Sequence, residues 1–496
     1  MKRNHRQRVV CLAAVVCLML TGMTAAASSY IYEGKTDRVL SAPDAMACVE
    51  VISGTSLGIG SFLEPADLFC NEKGDYYLLD SQNGRVVCLD GKTRKCRFQI
   101  TGKDDYNFIG AQGLFVTENN SIYICDTDRG RILVYSPTDV DGVYTQPQVC
   151  VPTGIPSDTA FQPLKIVVDK TGRMLVVSQG MYEGMVNLTM DGVFLGFVGA
   201  NRVKPDWLEL FWRAISTKAQ IEVQEQFVPV EFNNLDMDDE GFLFTTARGE
   251  TGNDELVRKL NLGGNDVLQS SSESGLGDHV TLDKKGTSYF IDVAAGPDEM
   301  FAALDSVRGH VFVYNRYCDL LFVFGGFGTK QGQFYNPSSL IWNKVYNTMA
   351  VLDRGTGTLT VVAPTVYGQA LLSAAGNESR GDYDLLFDNY HTILACNSNS
   401  ELAYVGLGKA EHQRGNFEMA MKYFERGNDR AGYSKSYEEY RKDNMRMVIQ
   451  VIILALLALA ILVVIFQIIR YIGNMRRMIA DIKTVIKKTQ GREDSR

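Results

Sequence analysis

The 496-residue chain lacks several things. It has five histidines, and none forms an H-x-x-x-H pair, so a His-rich zinc site is not expected. Its cysteines include no C-x-x-C, and few disulfides are expected. An excess of basic charge is missing too: 50 Lys+Arg stand against 58 Asp+Glu, a net charge of −8 that argues against general nucleic-acid binding. A nucleophile elbow is also absent. The one G-x-S-x-G, Gly54-Thr55-Ser56-Leu57-Gly58, has no helix behind it and reads as a glycine-rich loop. Proline is scarce at 12 residues, while glycine is plentiful at 46 and suits many tight turns. With 45% hydrophobic and 22% charged residues, wholesale disorder is excluded, and the length predicts roughly two to four structural units.

The two ends carry the apolar runs. Lys2, Arg3, Arg6 and Arg8 precede a run from Val9 to Leu20, and Ala25, Ala26 and Ala27 follow. That is the layout of a secretory signal peptide over residues 1–27. Residues 447–469 contain no charge, and at about 1.5 Å rise each they are long enough to cross a hydrocarbon core of about 30 Å. The tail, residues 470–496, has eight basic and three acidic side chains, which predicts a cytoplasmic location. Ile472, Met475, Ile479, Ile482 and Ile486 fall at helical spacing in it, a basic amphipathic pattern. The first 27 residues hold four basic and no acidic side chains, so residues 28–446 carry −17 of the total charge of −8. The expectation is a strongly acidic extracellular part on a basic foot.

Repeats dominate that outer part. Asp80-Ser81-Gln82-Asn83-Gly84-Arg85 lies between the expected strands Tyr76 to Leu79 and Arg85 to Leu89. Asp126-Thr127-Asp128-Arg129-Gly130-Arg131 repeats it 46 residues later. Asp305 to His310 and Asp353 to Thr358 are a third and a fourth copy. An Asp can bond turn amides, Gly accepts a positive φ, and Arg85 or Arg131 can reach back to the Asp, so the motif reads as structural. Segments starting at Leu164 and Asn233 read as two degraded copies. Six units of four short strands predict a mainly β fold, a six-bladed β-propeller. The segment from Ala47 to Phe62 is expected to supply the outer strand of the last blade and close the ring.

Gly60, Phe62, Pro65, Asp80, Ser81 and Arg85 resemble the NHL family of propellers, and Gly332, Phe334 and Pro337 repeat its opening. The last unit departs from the pattern, with Arg354 after Asp353. From Leu402 the chain is similar to a tetratricopeptide repeat, with Ala403, Leu407, Gly408, Ala410, Gly415, Phe417, Ala420 and Phe424 at its packing positions. Residues 367–397 read as a degraded earlier copy. The expected domains are the signal peptide 1–27, the propeller 28–364 and tetratricopeptide-like helices 365–430. A juxtamembrane helix 431–446, a transmembrane helix 447–469 and the tail 470–496 follow. This arrangement is similar to membrane-anchored surface proteins of Gram-positive bacteria, some labelled gluconolactonase-like. The resemblance implies a partnership with sugar ABC-transporter components or another membrane complex, and a carbohydrate ligand.

A gluconolactonase-like relationship implies a divalent ion held by oxygen ligands, which suits Ca²⁺. Glu64, Asn234 and Asp236 are the metal candidates, with Asp67 and Asn233 near them on the innermost strands; the family's Glu-Gly-Pro opening is absent, since Pro65 follows Glu64 directly. An extracytoplasmic metal-dependent lactonase is thus the alternative to a binding module that is not an enzyme. The insertion from Asn201 to Asn234 holds Trp207 and Trp212, two of only three tryptophans in the chain. Trp207, Leu210, Phe211, Ala214 and Ile215 share one helical face. Trp207, Phe211, Trp212, Arg213, Glu231, Asn233, Asn234 and Arg248 are therefore the candidate ligand- or partner-binding residues. No catalytic residue is assigned.

Overall fold

The computed structural model describes residues 29–32, 39–138, 142–156, 160–199, 231–247, 256–268, 276–278 and 288–493. The expected signal peptide, and Trp207, Phe211, Trp212, Arg213 and Arg248, lie outside the described residues. The chain divides into two compact units, residues 1–403 and 404–496.

The first unit is a six-bladed β-propeller. A short hairpin, β1 (Tyr30–Tyr32) and β2 (Val39–Ser41), precedes β3 (Met46–Ser53). Blade one is β4 (Pro65–Cys70), β5 (Tyr76–Asp80), β6 (Arg85–Leu89) and β7 (Cys96–Thr101). Blade two is β8 (Gly113–Val116), β9 (Ile122–Asp126), β10 (Arg131–Tyr135) and β11 (Gln148–Cys150). Blade three is β12 (Pro163–Val168), β13 (Met174–Ser178), β14 (Met185–Leu188) and β15 (Phe194–Val198). Blade four has three strands among the described residues: β16 (Phe232–Met237), β17 (Leu243–Ala247) and β18 (Val257–Leu260). Blade five is β19 (Phe290–Ala295), β20 (Phe301–Asp305), β21 (His310–Tyr314) and β22 (Leu320–Gly325). Blade six is β23 (Pro337–Asn343), β24 (Thr348–Asp353) and β25 (Thr358–Pro364), and its outer strand is β3, paired antiparallel with β25 from Met46↔Pro364 to Ser53↔Thr358. The ring is therefore closed by the first part of the chain pairing with the last, as expected, and the sheet edges that would meet there are removed.

Blade-on-blade packing explains why the middle strands lack alternation. Tyr76 and Leu78 of β5 pack with Ile341, Ala350 and Leu352 of blade six. Tyr77 and Leu79 of the same strand pack with Leu114, Ile122 and Ile124 of blade two. Both faces of the strand are buried, so every position is apolar until Asp80.

The Asp-turn-Gly-Arg motif is the link between the second and third strands of a blade. Arg85 Nε donates to Asp80 Oδ2 at 2.7 Å, and Arg131 Nε donates to Asp126 Oδ2 at 2.7 Å. Both carboxylates are fully buried. Each arginine also crosses to the loop entering the blade: Arg85 Nη1 donates to Ile59 O at 2.6 Å and Arg131 Nη2 to Asp105 O at 2.7 Å. The motif glycine has two reasons to be glycine. Gly84 has φ +55, and a Cβ there would meet Ile109 Cγ1 at 2.9 Å. In units three and four the matching differs by one strand from expectation. The strand-turn-strand segments from Leu164 and Asn233 are the first-to-second-strand hairpins, built on turns at Asp169 and Asp238 whose carboxylates cap backbone amides.

All eight cysteines from Cys48 to Cys396 are free thiols. Cys88 and Cys96 do not face each other: a register shift sets Cys88 opposite Phe98 and Cys96 opposite Leu89. Cys125 is fully buried as a small core side chain, and burial pushes its thiol well above the ordinary range.

Helices follow the propeller. In the first unit, α1 (Val366–Arg380) begins at Thr365, whose hydroxyl accepts from Gly368 N, and ends at Gly381 with φ 76. Helix α2 (Tyr383–Cys396) comes next, then α3 (Glu401–Gln413), which runs into the second unit. The second unit continues with α4 (Phe417–Arg426) and α5 (Arg430–Glu493). There Phe424 is buried between two glycines; a Cβ on Gly408 or Gly432 would approach its ring to 2.7 or 2.5 Å. Helix α5 is long and apolar enough to cross a membrane, with a mean hydropathy of 3.3 in its most apolar window and no buried residue there. The expected juxtamembrane and membrane-spanning helices are parts of this one continuous helix.

Candidate functional site at the propeller axis

The innermost strands share one irregularity. After Pro65, Pro163, Phe232, Phe290 and Pro337 the pairing register shifts by one residue. The residue beyond each bulge then sits at an equivalent place: Asp67, Lys165, Asn234, Asp292 and Ser339. In blade two that place, opposite Cys125, is Gly113. Bulges re-aim side chains. Here five bulges bring two aspartates, a lysine, an asparagine and a serine to the level that Gly113 holds in blade two.

These residues bond the blades to one another. Asp67 Oδ2 accepts from Leu114 N of blade two at 2.7 Å, and its other oxygen accepts from Ser339 Oγ of blade six at 3.1 Å. Lys165 of blade three donates to the same carboxylate. Asp292 accepts from Val293 N at 2.8 Å and from Leu340 N of blade six at 2.7 Å. Asp236 accepts from Met237 N and from Ala295 N of blade five, both at 2.8 Å. Asn234 donates to Ile291 O at 3.0 Å and accepts from Leu235 N at 2.6 Å.

Burial dominates the electrostatics. It pushes Asp292 up to about 6, with Lys165 opposing the rise, and it raises Asp236 as well. Burial alone would discharge Lys165, but Asp67, Asp292 and Asp236 outweigh it and hold the ammonium above its ordinary range. Among the described residues, Lys165 is thus a buried cation at the axis among the carboxyl groups of Asp67, Asp236 and Asp292.

The described candidates from the sequence fall around this network. Asn233 donates to Phe290 O at 2.8 Å and accepts from the Thr246 hydroxyl. Glu231 accepts from Gly180 N of blade three. Glu64 is exposed on the loop into blade one, with φ 46. Of the metal candidates, Asn234 and Asp236 use both terminal atoms on backbone groups. No group of three or more His, Cys, Asp or Glu suited to a metal ion occurs among the described residues. Lys165, Asp292 and Ser339 were not legible as site residues, because equivalent positions carry different residue types and no spacing pattern marks them.

A second polar cluster lies where the β1–β2 hairpin meets blade five. Tyr30 and Tyr32 donate to Asp278 Oδ1, and Arg308 Nε lies 3.2 Å from its Oδ2. His310 Nδ1 is 3.3 Å from the Tyr30 hydroxyl. Burial pushes the Asp278 carboxyl up, but hydrogen bonds from His310, Tyr30 and Tyr32 outweigh it and hold the group below the ordinary range. Tyr30 also belongs to the apolar cluster of Phe290, Phe312 and Val323. The cluster anchors the hairpin to the ring.

No family model matches the sequence, and no curated protein matches it. Some solved structures are similar to it. A streptogramin B lyase is 9% identical, covering 61% of this chain and 94% of its own, with a TM-score of 0.39. The virginiamycin B lyase of Staphylococcus aureus is 9% identical over 64% of this chain and 99% of its own, with a TM-score of 0.38. A Bacteroides thetaiotaomicron protein of unknown function is 10% identical over 66% and 78%, with a TM-score of 0.42. At this level the likeness concerns the fold, and none of their chemistry is carried to this chain.

Proposed function

We propose that the chain is a single-pass cell-surface protein whose propeller is a ligand- or protein-binding module. In this reading it is an accessory of a carbohydrate-uptake or envelope complex. The observation that carries the binding reading is the commitment of the axial side chains. Asp67, Asn234, Asp236 and Asp292 are each bonded to a neighbouring strand. The centre therefore serves as a rigid hub, and recognition falls to the loops and helices around it. The tetratricopeptide-like pattern supports a protein-docking neck. Residues 447–469 would anchor it, with the basic tail inside and the acidic part outside.

Sided labelling tests the placement. A membrane-impermeant maleimide applied to intact cells should label the exposed Cys396. Labelling only after lysis would overturn the surface reading. A turnover screen tests the binding reading: the full-length protein, with Ca²⁺ and a panel of lactones, should release no product. Turnover lost on Asp236→Asn would replace it with the hydrolase reading.

A further inference from the structure

The turn between β19 and β20 is built from unusual residues. Met300 N donates to Pro297 O at 3.0 Å, and the central residues Asp298 and Glu299 have φ of 52 and 61. Two successive positive φ values belong to a turn that normally takes Asn-Gly. Non-glycine residues persist there only where their surroundings hold them. Here both side chains are held. Glu299 pairs with Lys259 at 2.9 Å and Arg316 at 3.1 Å, and Asp298 pairs with Arg380 of α1. Gly376 allows the approach, since a Cβ there would lie 2.4 Å from Asp298 Oδ2.

This clamp props open a cleft of about 480 Å³ between the turn, the Asn347 loop, α1 and α2. A helix lying on its scaffold normally turns an apolar stripe inward. The stripe α1 presents to the cleft includes Gln369, Ser373, Asn377 and Arg380, with Leu372 as its apolar member. Asn347 Nδ2 donates to Gln369 Oε1 at 2.8 Å, and Gln369 Nε2 donates to Ser373 Oγ at 3.0 Å, a polar chain across one wall. Asp388 and Asn389 of α2 form the other wall. Arg380 is occupied: Asp298 takes one terminal nitrogen, Asn377 Oδ1 accepts from the other at 2.8 Å, and Asp382 lies 3.6 Å from Nε.

We propose that this cleft binds a small neutral polyhydroxylated molecule, a sugar of one or two rings. The volume falls in the range of ligand pockets, roughly 300–1,000 Å³. Carboxamides, a hydroxyl and a carboxylate match hydroxyl groups, which both donate and accept. Arg380, the cation of the lining, is engaged, so an anion finds no matching charge. Leu385, 58% exposed, offers apolar surface to ring C–H groups, above the buried Leu372 and Met300. The proposal rests on the binding-module reading and moves ligand recognition from the insertion to this cleft.

The test uses the full-length protein in nanodiscs, with glucose, maltose and myo-inositol as probes and gluconate as the anionic control, read by calorimetry and saturation-transfer NMR. At least one neutral probe should bind, gluconate should not, and Asp388→Asn or Asn389→Ala should each weaken binding at least tenfold. Binding unchanged in both variants would overturn the cleft while leaving the binding-module reading intact. Binding of no neutral probe, or stronger binding of gluconate, would overturn it too. Variant-sensitive sugar binding with no membrane partner recovered would uphold the cleft and remove the accessory role.

Discussion

Lys165 on blade three contacts Asp67 on blade one, and blade two, which lies between them, carries Gly113 at the same level. A Cβ on Gly113 would sit 2.4 Å from Leu164 O and 3.0 Å from Lys165 Cα. The missing side chain and the ion pair are one arrangement: the lysine reaches across because the intervening blade presents nothing to block it.

Replacing Lys165 by Met should therefore destabilise the protein strongly. Asp67 is 1% exposed and would be left as a buried charge without its cation. Breaking a buried pair from one side costs about 3–5 kcal/mol. Chemical denaturation of the full-length protein in detergent measures it, and a loss below about 1 kcal/mol, the level of a surface pair, would contradict the buried-hub account.

Gly113→Ala should be destabilising without any change of charge. Forced overpacking costs about 1–3 kcal/mol. Thermal unfolding would read the loss; a neutral or stabilising result would mean that blades two and three are further apart than described.

The axis also predicts a pH dependence. Asp292 titrates at about 6 in the folded ring, against about 3.9 in an unfolded chain. Between those values the folded state binds more protons, so this group's contribution is fully present below about pH 4 and is lost as pH rises through about 6. Wild type should lose stability relative to Asp292→Asn across that window. Denaturation midpoints from pH 4 to 7 would check it, and parallel curves would refute it.

Thiol chemistry reports on the blades. Burial pushes Cys88 and Cys318 up to about 12, so both should resist a maleimide at neutral pH while the exposed Cys396 reacts. Mass spectrometry should find Cys396 modified early, with Cys88, Cys125 and Cys318 reacting only after unfolding. A gel shift on reduction would show disulfides and contradict the free-thiol arrangement.

The ring was legible where side chains are tied to local geometry. Asp80, Gly84 and Arg85 announce their turn because each residue type has its own reason to be there, and the closing strand at Met46–Ser53 falls in the segment that resembles the stretch before the last unit. The axis was not legible, because Asp67, Gly113, Lys165, Asn234, Asp292 and Ser339 occupy one structural place with no residue type shared by all and no spacing pattern to mark it. Units three and four were matched one strand out, since Asp169 and Asp238 make polar turns of similar composition on the neighbouring hairpin. Cys88 and Cys96 flank Asp90-Gly91-Lys92 in the sequence, but a register shift that spacing does not reveal keeps them from facing each other. The polar stripe of α1 carries no signal of its own in the sequence, because only the pairing of Asp298 with Arg380 sets it against the β19–β20 turn.

The central claim is that the propeller serves a membrane complex as a binding module. Photo-cross-linking of the full-length protein in its own membrane, with probes in the 201–234 insertion and in helices α1 to α4, tests it most directly. The account predicts recovery of a membrane protein, foremost a transporter subunit, from at least one probe position. Recovery of no membrane protein from any position would contradict it.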